Sequence, residues 1–324
     1  MVKAVRIHKT GGPEVLSYED IDLTPPGAGQ VRVRHTAIGL NYIDTYFRSG
    51  LYPAPIPCGL GLEAAGVVEE LGDGVTTLVV GDRVAYGSGP LGAYSQAQNA
   101  PANRLVKIPD GVSDKDAAAM MLKGMTVQYL LRRTYEVKAG DTILFHAAAG
   151  GVGLIACQWA KHLGATVIGT AGSEEKAQLA KQAGADHVIL YRDEDVPARV
   201  RDITDGKMVP VVYDGVGKDT FDMSLDCLAP LGLMVSFGNA SGAVPPIDIS
   251  ILNLKGSLFV TRPSLAAYTA SDADLAMTAA DLFDVMAKGA VKADVRQEYA
   301  LADAAQAHTD LEARKTTGAT VLIP

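Results

Sequence analysis

The strongest constraint on this chain is a strand that runs through a glycine turn into a helix. Thr142-Ile-Leu-Phe-His-Ala is a continuous apolar run, and Ala147-Ala-Ala-Gly-Gly-Val-Gly follows it. Beyond the glycines, Val152, Ile155, Ala156, Trp159, Ala160 and Leu163 recur on one helical face, which predicts a helix from Gly151 to Leu163. On the pattern G-x-G-x-x-G, Ala148 takes the first glycine place, Gly150 the second and Gly153 the third. The second place lets a backbone approach a pyrophosphate, and the third lets the helix pack closely on its strand. The helix N-terminus adds N–H donors and the positive dipole end. The strand before and the periodic helix after supply the context that a lone glycine pattern lacks.

The alternation continues downstream. Ala165-Thr-Val-Ile-Gly-Thr reads as a second strand and Ser173 to Ala183 as a helix. His187-Val-Ile-Leu, Val209-Pro-Val-Val-Tyr-Asp, Gly232-Leu-Met-Val-Ser-Phe-Gly and Ser257-Leu-Phe-Val-Thr read as further strands. Such a series predicts an α/β architecture, a doubly wound parallel sheet covered on both faces. Residues 1–120 differ. Val31-Arg-Val-Arg, Gly66-Val-Val-Glu, Gly81-Asp-Arg-Val-Ala and Arg104-Leu-Val-Lys-Ile are short strand-like runs between Gly and Pro, predicting a compact, partly open barrel. Tyr52-Pro-Ala-Pro-Ile-Pro-Cys-Gly reads as an extended loop, because three prolines fix φ and remove donors. Helices are predicted over 114–135, 272–288 and 303–314, with a late strand at Ala319-Thr-Val-Leu-Ile.

Composition narrows the function. The chain has 324 residues, 29 Lys+Arg against 37 Asp+Glu, and a net charge of −8. Its scattered basic residues leave no electrostatic footprint for nucleic acid, so nucleic-acid binding is not expected. Apolar residues at 48% provide for substantial cores and argue against disorder. No uncharged apolar run reaches about 18 residues, so no membrane span is expected. Met1-Val-Lys-Ala-Val-Arg-Ile-His alternates like a strand and lacks the apolar core of a secretion signal; a cytoplasmic protein is expected. Cys58, Cys157 and Cys227 lie too far apart for a disulfide framework or a zinc knuckle. Gly61-Leu-Glu-Ala-Ala-Gly has the outline of the G-H-E-x-x-G of zinc alcohol dehydrogenases, but Leu62 stands at the ligand histidine, so no metal is expected. The six histidines show no metal spacing and no G-x-S-x-G elbow occurs. His146, beside the glycine turn, reads as a packed strand-end residue.

The dinucleotide is chosen at the tip of the second strand, where NAD enzymes usually carry Asp or Glu. Here that tip is Gly169-Thr-Ala-Gly-Ser, without an acid. Ser173 is a good helix N-cap, which places Glu174 and Glu175 in the first turn beside the positive dipole end. Lys176 then stands near the helix start, within reach of a 2′-phosphate; by composition alone a solvated surface lysine is an equal reading. NADPH is the expected cofactor.

Longer segments carry a resemblance. Asn41-Tyr-Ile-Asp-Thr-Tyr-Phe-Arg-Ser-Gly-Leu-Tyr-Pro, Phe145-His-Ala-Ala-Ala-Gly-Gly-Val-Gly-Leu-Ile-Ala-Cys-Gln-Trp-Ala-Lys, Gly232-Leu-Met-Val-Ser-Phe-Gly-Asn and Leu258-Phe-Val-Thr-Arg-Pro-Ser-Leu are the most specific. With them the chain resembles, end to end, the bacterial NADPH:quinone oxidoreductases. These are zinc-free relatives of zeta-crystallin in the medium-chain dehydrogenase/reductase superfamily. The resemblance implies a Rossmann domain at 124–264 inserted in a GroES-like, mostly β catalytic domain made of 1–123 and 265–324. It implies that Gly150, Gly151 and Val152 meet the pyrophosphate, and that Gly172, Ser173, Lys176 and Tyr191 surround the 2′-phosphate. Asn41, Asp44, Tyr46, Thr126, Phe237, Gly238, Asn239, Phe259, Thr261 and Arg314 would lie along the cofactor. Val216 stands at a cofactor position where the family often has a small polar residue, which puts one side-chain hydrogen bond in question. A homodimer joined at the Ser257–Thr261 strand edge is also implied.

Quinones are easily reduced, so orientation in a dry slot can supply much of the rate. The slot is expected between the domains, lined by Asn41, Tyr46 and Tyr52, with the Pro53–Pro57 loop at its mouth. Tyr46 or Asn41 would donate a hydrogen bond to a quinone oxygen; Tyr52, beside prolines, equally packs the loop. Two other readings fit the same residues. One is an NADPH-dependent enone or alkenal reductase. The other is a non-catalytic NADPH-binding or structural protein of the crystallin kind.

Overall fold

The computed structural model describes residues 1–324. The chain forms two compact units. The first comprises Met1–Met125, Thr269–Ala287 and Ala293–Pro324, and the second Thr126–Tyr268 and Lys288–Lys292.

The first unit opens with β1 (Val2–Ile7), β2 (Leu16–Ile21) and β3 (Gln30–Leu40), then α1 (Tyr42–Ser49) and β4 (Cys58–Gly59). β5 (Ala64–Leu71), β6 (Arg83–Tyr86), β7 (Ala97–Pro101) and β8 (Val106–Lys107) follow, and α2 (Asp114–Tyr129) runs on into the second unit. In β3, Val31, Val33 and His35 point inward while Arg32 and Arg34 point out, the period-2 pattern of a half-buried strand. From Ala37 to Leu40 every residue is buried, because α2 packs against the second face there, with Ala118 close against Gly39.

The second unit contains β9 (Thr142–Phe145), α3 (Gly151–His162), β10 (Thr166–Ala171), α4 (Glu174–Gln182) and β11 (His187–Leu190). It continues through α5 (Val196–Ile203), β12 (Val209–Asp214), α6 (Phe221–Asp226), β13 (Leu228–Ser236), α7 (Ser250–Leu254), β14 (Phe259–Thr261) and α8 (Leu265–Tyr268). Its six strands are all parallel, in the order β11-β10-β9-β12-β13-β14. This is the doubly wound arrangement. The chain reverses direction between β9 and β12, and ligands of such sheets bind outside the strand C-termini at that switch.

The first unit is completed by α9 (Asp272–Ala287), β15 (Val295–Ala300), α10 (Ala304–Glu312) and β16 (Ala319–Ile323). Its strands form a seven-stranded sheet, β15-β16-β3-β5-β6-β8 with β7 on β3, and a three-stranded sheet, β2-β1-β4. β16 pairs antiparallel with β3, so the late strand completes a core begun near residue 30.

Several local readings need correction. Arg104-Leu-Val-Lys-Ile is mostly not strand: residues 102–104 make one helical turn, and Arg104 reaches the Thr269 carbonyl at 2.7 Å. The helix expected over 114–135 is regular only to Tyr129. It then widens over 130–134, where the Tyr135 amide reaches back five residues to Leu130 O. Helix α5 was missed although its start is signalled: Asp195 caps it through Ala198 N at 2.9 Å, with Pro197 in the first turn. Helices α6, α7 and α8 and strand β15 are short or weakly patterned and were also missed.

Candidate functional site

In the second unit the glycine turn lies at the C-terminal end of β9. His146 N donates to Tyr213 O (3.0 Å) and Ala148 N to Thr170 O (3.0 Å), tying the turn to β12 and β10. Ala147 adopts φ 53°, a left-handed conformation that costs an alanine roughly 1–2 kcal/mol. Its carbonyl accepts from Gly150 N at 2.9 Å. Gly150 is the N-cap of α3, with φ −77° and no side chain capping the helix, so its role does not depend on a left-handed backbone. A Cβ on Gly150 would meet only Ala147 O, at 3.2 Å. The space in front of it is left open by the protein, above uncapped first-turn amides. Gly153 is the opposite case. A Cβ there would run into Ala147 O and lie 2.7 Å from the Ala148 backbone, so this glycine serves helix–strand packing. Gly151 and Val152 are half-buried in the first turn. The cradle fits a pyrophosphate.

A buried chain of hydrogen bonds lies at the strand ends beneath this turn. Ser224 donates to Asp214 Oδ2 (2.9 Å), so its oxygen accepts from His146 Nε2 (3.0 Å). His146 Nδ1 therefore accepts from Thr170 Oγ1 (3.0 Å). Burial lowers the His146 pKa, in keeping with this neutral tautomer. Asp214 also accepts from Val216 N (2.7 Å), Gly217 N (3.0 Å) and Thr220 Oγ1 (2.7 Å). His146 is thus a packed strand-end residue. Its partners Ser224 and Asp214 carry no local sequence signal.

At the tip of β10 the structure brings Gly172 and Tyr191 together: a Cβ on Gly172 would lie 2.7 Å from the Tyr191 hydroxyl. Ser173 caps α4, accepting from Lys176 N at 3.4 Å. Glu174 and Glu175 are exposed in the first turn, and Glu174 accepts from Gln178 Nε2 at 2.6 Å along its own helix. The half-buried Lys176 side chain shares this helix start.

The other candidates of this unit are more scattered. Val216 O accepts from Ser241 N (2.8 Å) and Ser241 Oγ (2.9 Å), a backbone role. The Phe237 ring lies 5.7 Å from that of Phe145, and Gly238 packs so closely on Gly215 that a Cβ would sit 2.8 Å from its Cα. Arg262 Nη1 donates to Ser236 O (2.9 Å) and Gly238 O (3.1 Å). With its amide set to satisfy both neighbours, Asn239 donates to Gly238 O and accepts from Arg262 Nη2. Thr126 is buried in α2. Phe259 and Thr261 lie on β14, the edge strand, which β13 and β12 separate from the glycine turn. Phe259 is 59% exposed.

In the first unit, Asn41 follows β3 and caps α1. Its backbone N–H donates to Asp44 Oδ2 (2.9 Å), and a reciprocal capping box closes the helix start. Asn41 Nδ2 donates to Glu63 Oε2 (2.7 Å) and lies 3.5 Å from Gly39 O. Asp44 is completely buried: it accepts from Tyr94 Oη (2.9 Å) and supports α1 from inside. Burial pushes its pKa up to about 7.

Arg48 Nη1 donates to His308 Nδ1 (3.0 Å), which leaves the His308 proton on Nε2, facing Tyr94 Oη at 3.1 Å. Burial, helped by Arg48, lowers the His308 pKa to about 3. Arg48 also pairs with Glu312 at 2.7 Å. Tyr46 is buried with its ring 5.8 Å from Tyr42 and 5.2 Å, edge-on, from Tyr52; Tyr52 also packs on Phe47 at 5.7 Å. Arg314, φ 59°, follows α10 and lies near enough to Tyr42 to act on it electrostatically. Glu63, Lys123, Tyr94 and His308 were not singled out from sequence. The Gly61-Leu-Glu stretch signals only the missing ligand histidine at Leu62, and nothing local marks the glutamate beside it. No cluster of three His, Cys, Asp or Glu side chains is arranged to hold a metal.

Comparison with known proteins agrees with this architecture. Residues 27–110 match the family of alcohol dehydrogenase GroES-like domains, and residues 151–279 match the family described as zinc-binding dehydrogenase. Together with the fold they define an oxidoreductase of the medium-chain dehydrogenase/reductase class. A quinone oxidoreductase of Pseudomonas aeruginosa is 58% identical over the full length of both chains. The crystal structure of Escherichia coli quinone oxidoreductase complexed with NADPH superposes with a TM-score of 0.98 at 53% identity, covering 99% of this chain and 100% of that one. A 2-haloacrylate reductase of Burkholderia sp. is 48% identical, covering 100% of this chain and 99% of the relative. The chain belongs to the quinone oxidoreductase family.

Proposed function

We propose that the protein is an NADPH-dependent quinone reductase that works without metal or flavin. The observation that carries this reading is the full-length relationship at 58% identity to a quinone oxidoreductase, in a chain whose phosphate cradle is intact. Bound NADPH would supply the reducing equivalents. Gly150, Gly151 and Val152 would hold its pyrophosphate on the uncapped amides of α3. Gly172, Ser173, Tyr191 and Lys176 would take the 2′-phosphate at a strand tip that carries no competing acid. Phe237, Gly238 and Asn239, ordered by Arg262, would border it. In the first unit Tyr46 and Tyr52 offer aromatic surface to a flat acceptor, and Arg314 adds a cation near Tyr42. Asn41 holds the start of α1. Leu62 and the lack of a ligand cluster support a zinc-independent reaction.

The test is NADPH oxidation with 1,4-benzoquinone and a naphthoquinone after exhaustive EDTA treatment. Turnover should persist. Activity lost on chelation and restored by zinc would overturn the metal-free reading. The 48% identical 2-haloacrylate reductase favours a second reading, reduction of an activated carbon–carbon double bond. Haloacrylates and enals in the same panel separate the two by kcat/KM. A homodimer is also proposed. Leu231, Leu254 and Phe259 are 68%, 79% and 59% exposed on or near the unpaired edge of the parallel sheet, where a second copy would cover them. No helix is long and apolar enough to cross a membrane.

A further inference from the structure

Glu63 is completely buried and accepts three hydrogen bonds. Leu122 N of α2 donates to Oε1 at 2.6 Å, while Asn41 Nδ2 (2.7 Å) and Lys123 Nζ (3.1 Å) share Oε2. The carboxylate has room because position 39 is glycine: a Cβ there would run into Glu63 Oε2 and Ala118 O. Lys123 is itself buried, so the two charges compensate each other. A buried ion pair is weak grounds for stability, since apolar side chains of similar volume often replace one without loss. What apolar side chains could not reproduce is the effect on Asn41. With Nδ2 on a carboxylate oxygen, the amide has one allowed orientation. A flip would set its oxygen against Glu63 and remove the acceptor from the start of α1, where the capping box holds Asp44.

We propose that Glu63 and Lys123 are positioning residues for acceptor reduction. Their ion pair fixes the Asn41 amide and, through it, the start of α1, the helix that carries Tyr46. This rests on the quinone-reductase reading above. The two residues are buried and act through Asn41.

The test compares Glu63→Gln, the double variant Glu63→Gln/Lys123→Met and the wild type. Glutamine sets an NH2 group either against Leu122 N or against both Asn41 Nδ2 and Lys123 Nζ, so the site cannot stay satisfied. The double variant also removes the ammonium that would lose its carboxylate. Asn41 is one of five asparagines, so its side-chain amide can be followed by selective 15N labelling. Its signal should move in both variants. Quinone kcat should fall about tenfold or more, as for a displaced positioning group, with NADPH affinity by fluorescence titration within about twofold of wild type. The melting temperature of the double variant should recover toward wild type. An unmoved Asn41 signal, or a double variant with wild-type kcat, overturns the proposal. So does a loss of NADPH affinity that matches the loss of kcat. A wild type that binds NADPH but reduces no quinone defeats the functional reading instead, while the Asn41 signal still reports on the orientation.

Discussion

Two glycines three residues apart in the same turn have opposite duties, and substitution separates them. Gly153 has no room for a Cβ, so Gly153→Ala should destabilise the protein by about 1–3 kcal/mol, read as a lower melting temperature with or without cofactor. At Gly150 a Cβ would sit 3.2 Å from Ala147 O, a tight contact that a shift of a few tenths of an ångström relieves, so Gly150→Val should keep a native circular dichroism spectrum. It would still fill the space a pyrophosphate needs, and NADPH affinity should drop by roughly tenfold or more. Unchanged affinity would make the turn purely structural. Lys176 carries the cofactor preference in this reading. A charge-assisted hydrogen bond is worth roughly 1.5–3 kcal/mol, so Lys176→Ala should raise the KM for NADPH by about 10- to 150-fold and leave NADH nearly untouched. Equal weakening of both cofactors would place the 2′-phosphate elsewhere.

At the scale of an element, α1 is held by a carboxyl group that titrates near neutrality. The Asp44 pKa is about 7 in the folded protein against 3.8 for the free side chain, with burial the main cause. Its folded pKa is raised, so its stabilising effect is complete below about pH 3.8 and is lost as pH rises through 7. His308 runs the other way. Its folded pKa is near 3 against 6.5, so its contribution is complete above 6.5 and is lost as pH falls toward 3. The two slopes oppose each other in the wild type, and a difference curve isolates the first. Asp44→Asn keeps an oxygen for Asn41 N and Tyr94 Oη. The stability of wild type minus variant, from urea unfolding between pH 4 and 8, should fall with pH by on the order of 2–4 kcal/mol. A flat difference would mean that Asp44 is charged throughout.

For the whole molecule, the apolar edge of the parallel sheet makes the oligomeric state testable. Phe259→Asp places a charge on that edge and should shift sedimentation velocity from dimer to monomer, with the circular dichroism spectrum unchanged. A monomeric wild type, or a variant that stays dimeric, would remove β14 from the interface. The exposed phenylalanine lies on the edge strand, with β12 and β13 between it and the glycine turn on β9.

What the chain determines by itself is local. The period of α3, the apolar runs of β9 to β13, the glycine turn and the acid-free tip of β10 each lie within a few consecutive residues, and backbone geometry turns them directly into strands, helices and a phosphate cradle. Tertiary structure alone decided which polar side chains meet. Asn41 finds Glu63 across 22 residues, Glu63 finds Lys123 across 60, His146 finds Ser224 across 78 and Tyr94 finds His308 across 214. Those meetings depend on strand register and on which helix covers which strand. A one-residue slip would turn each side chain to the opposite face, and no local periodicity records that choice.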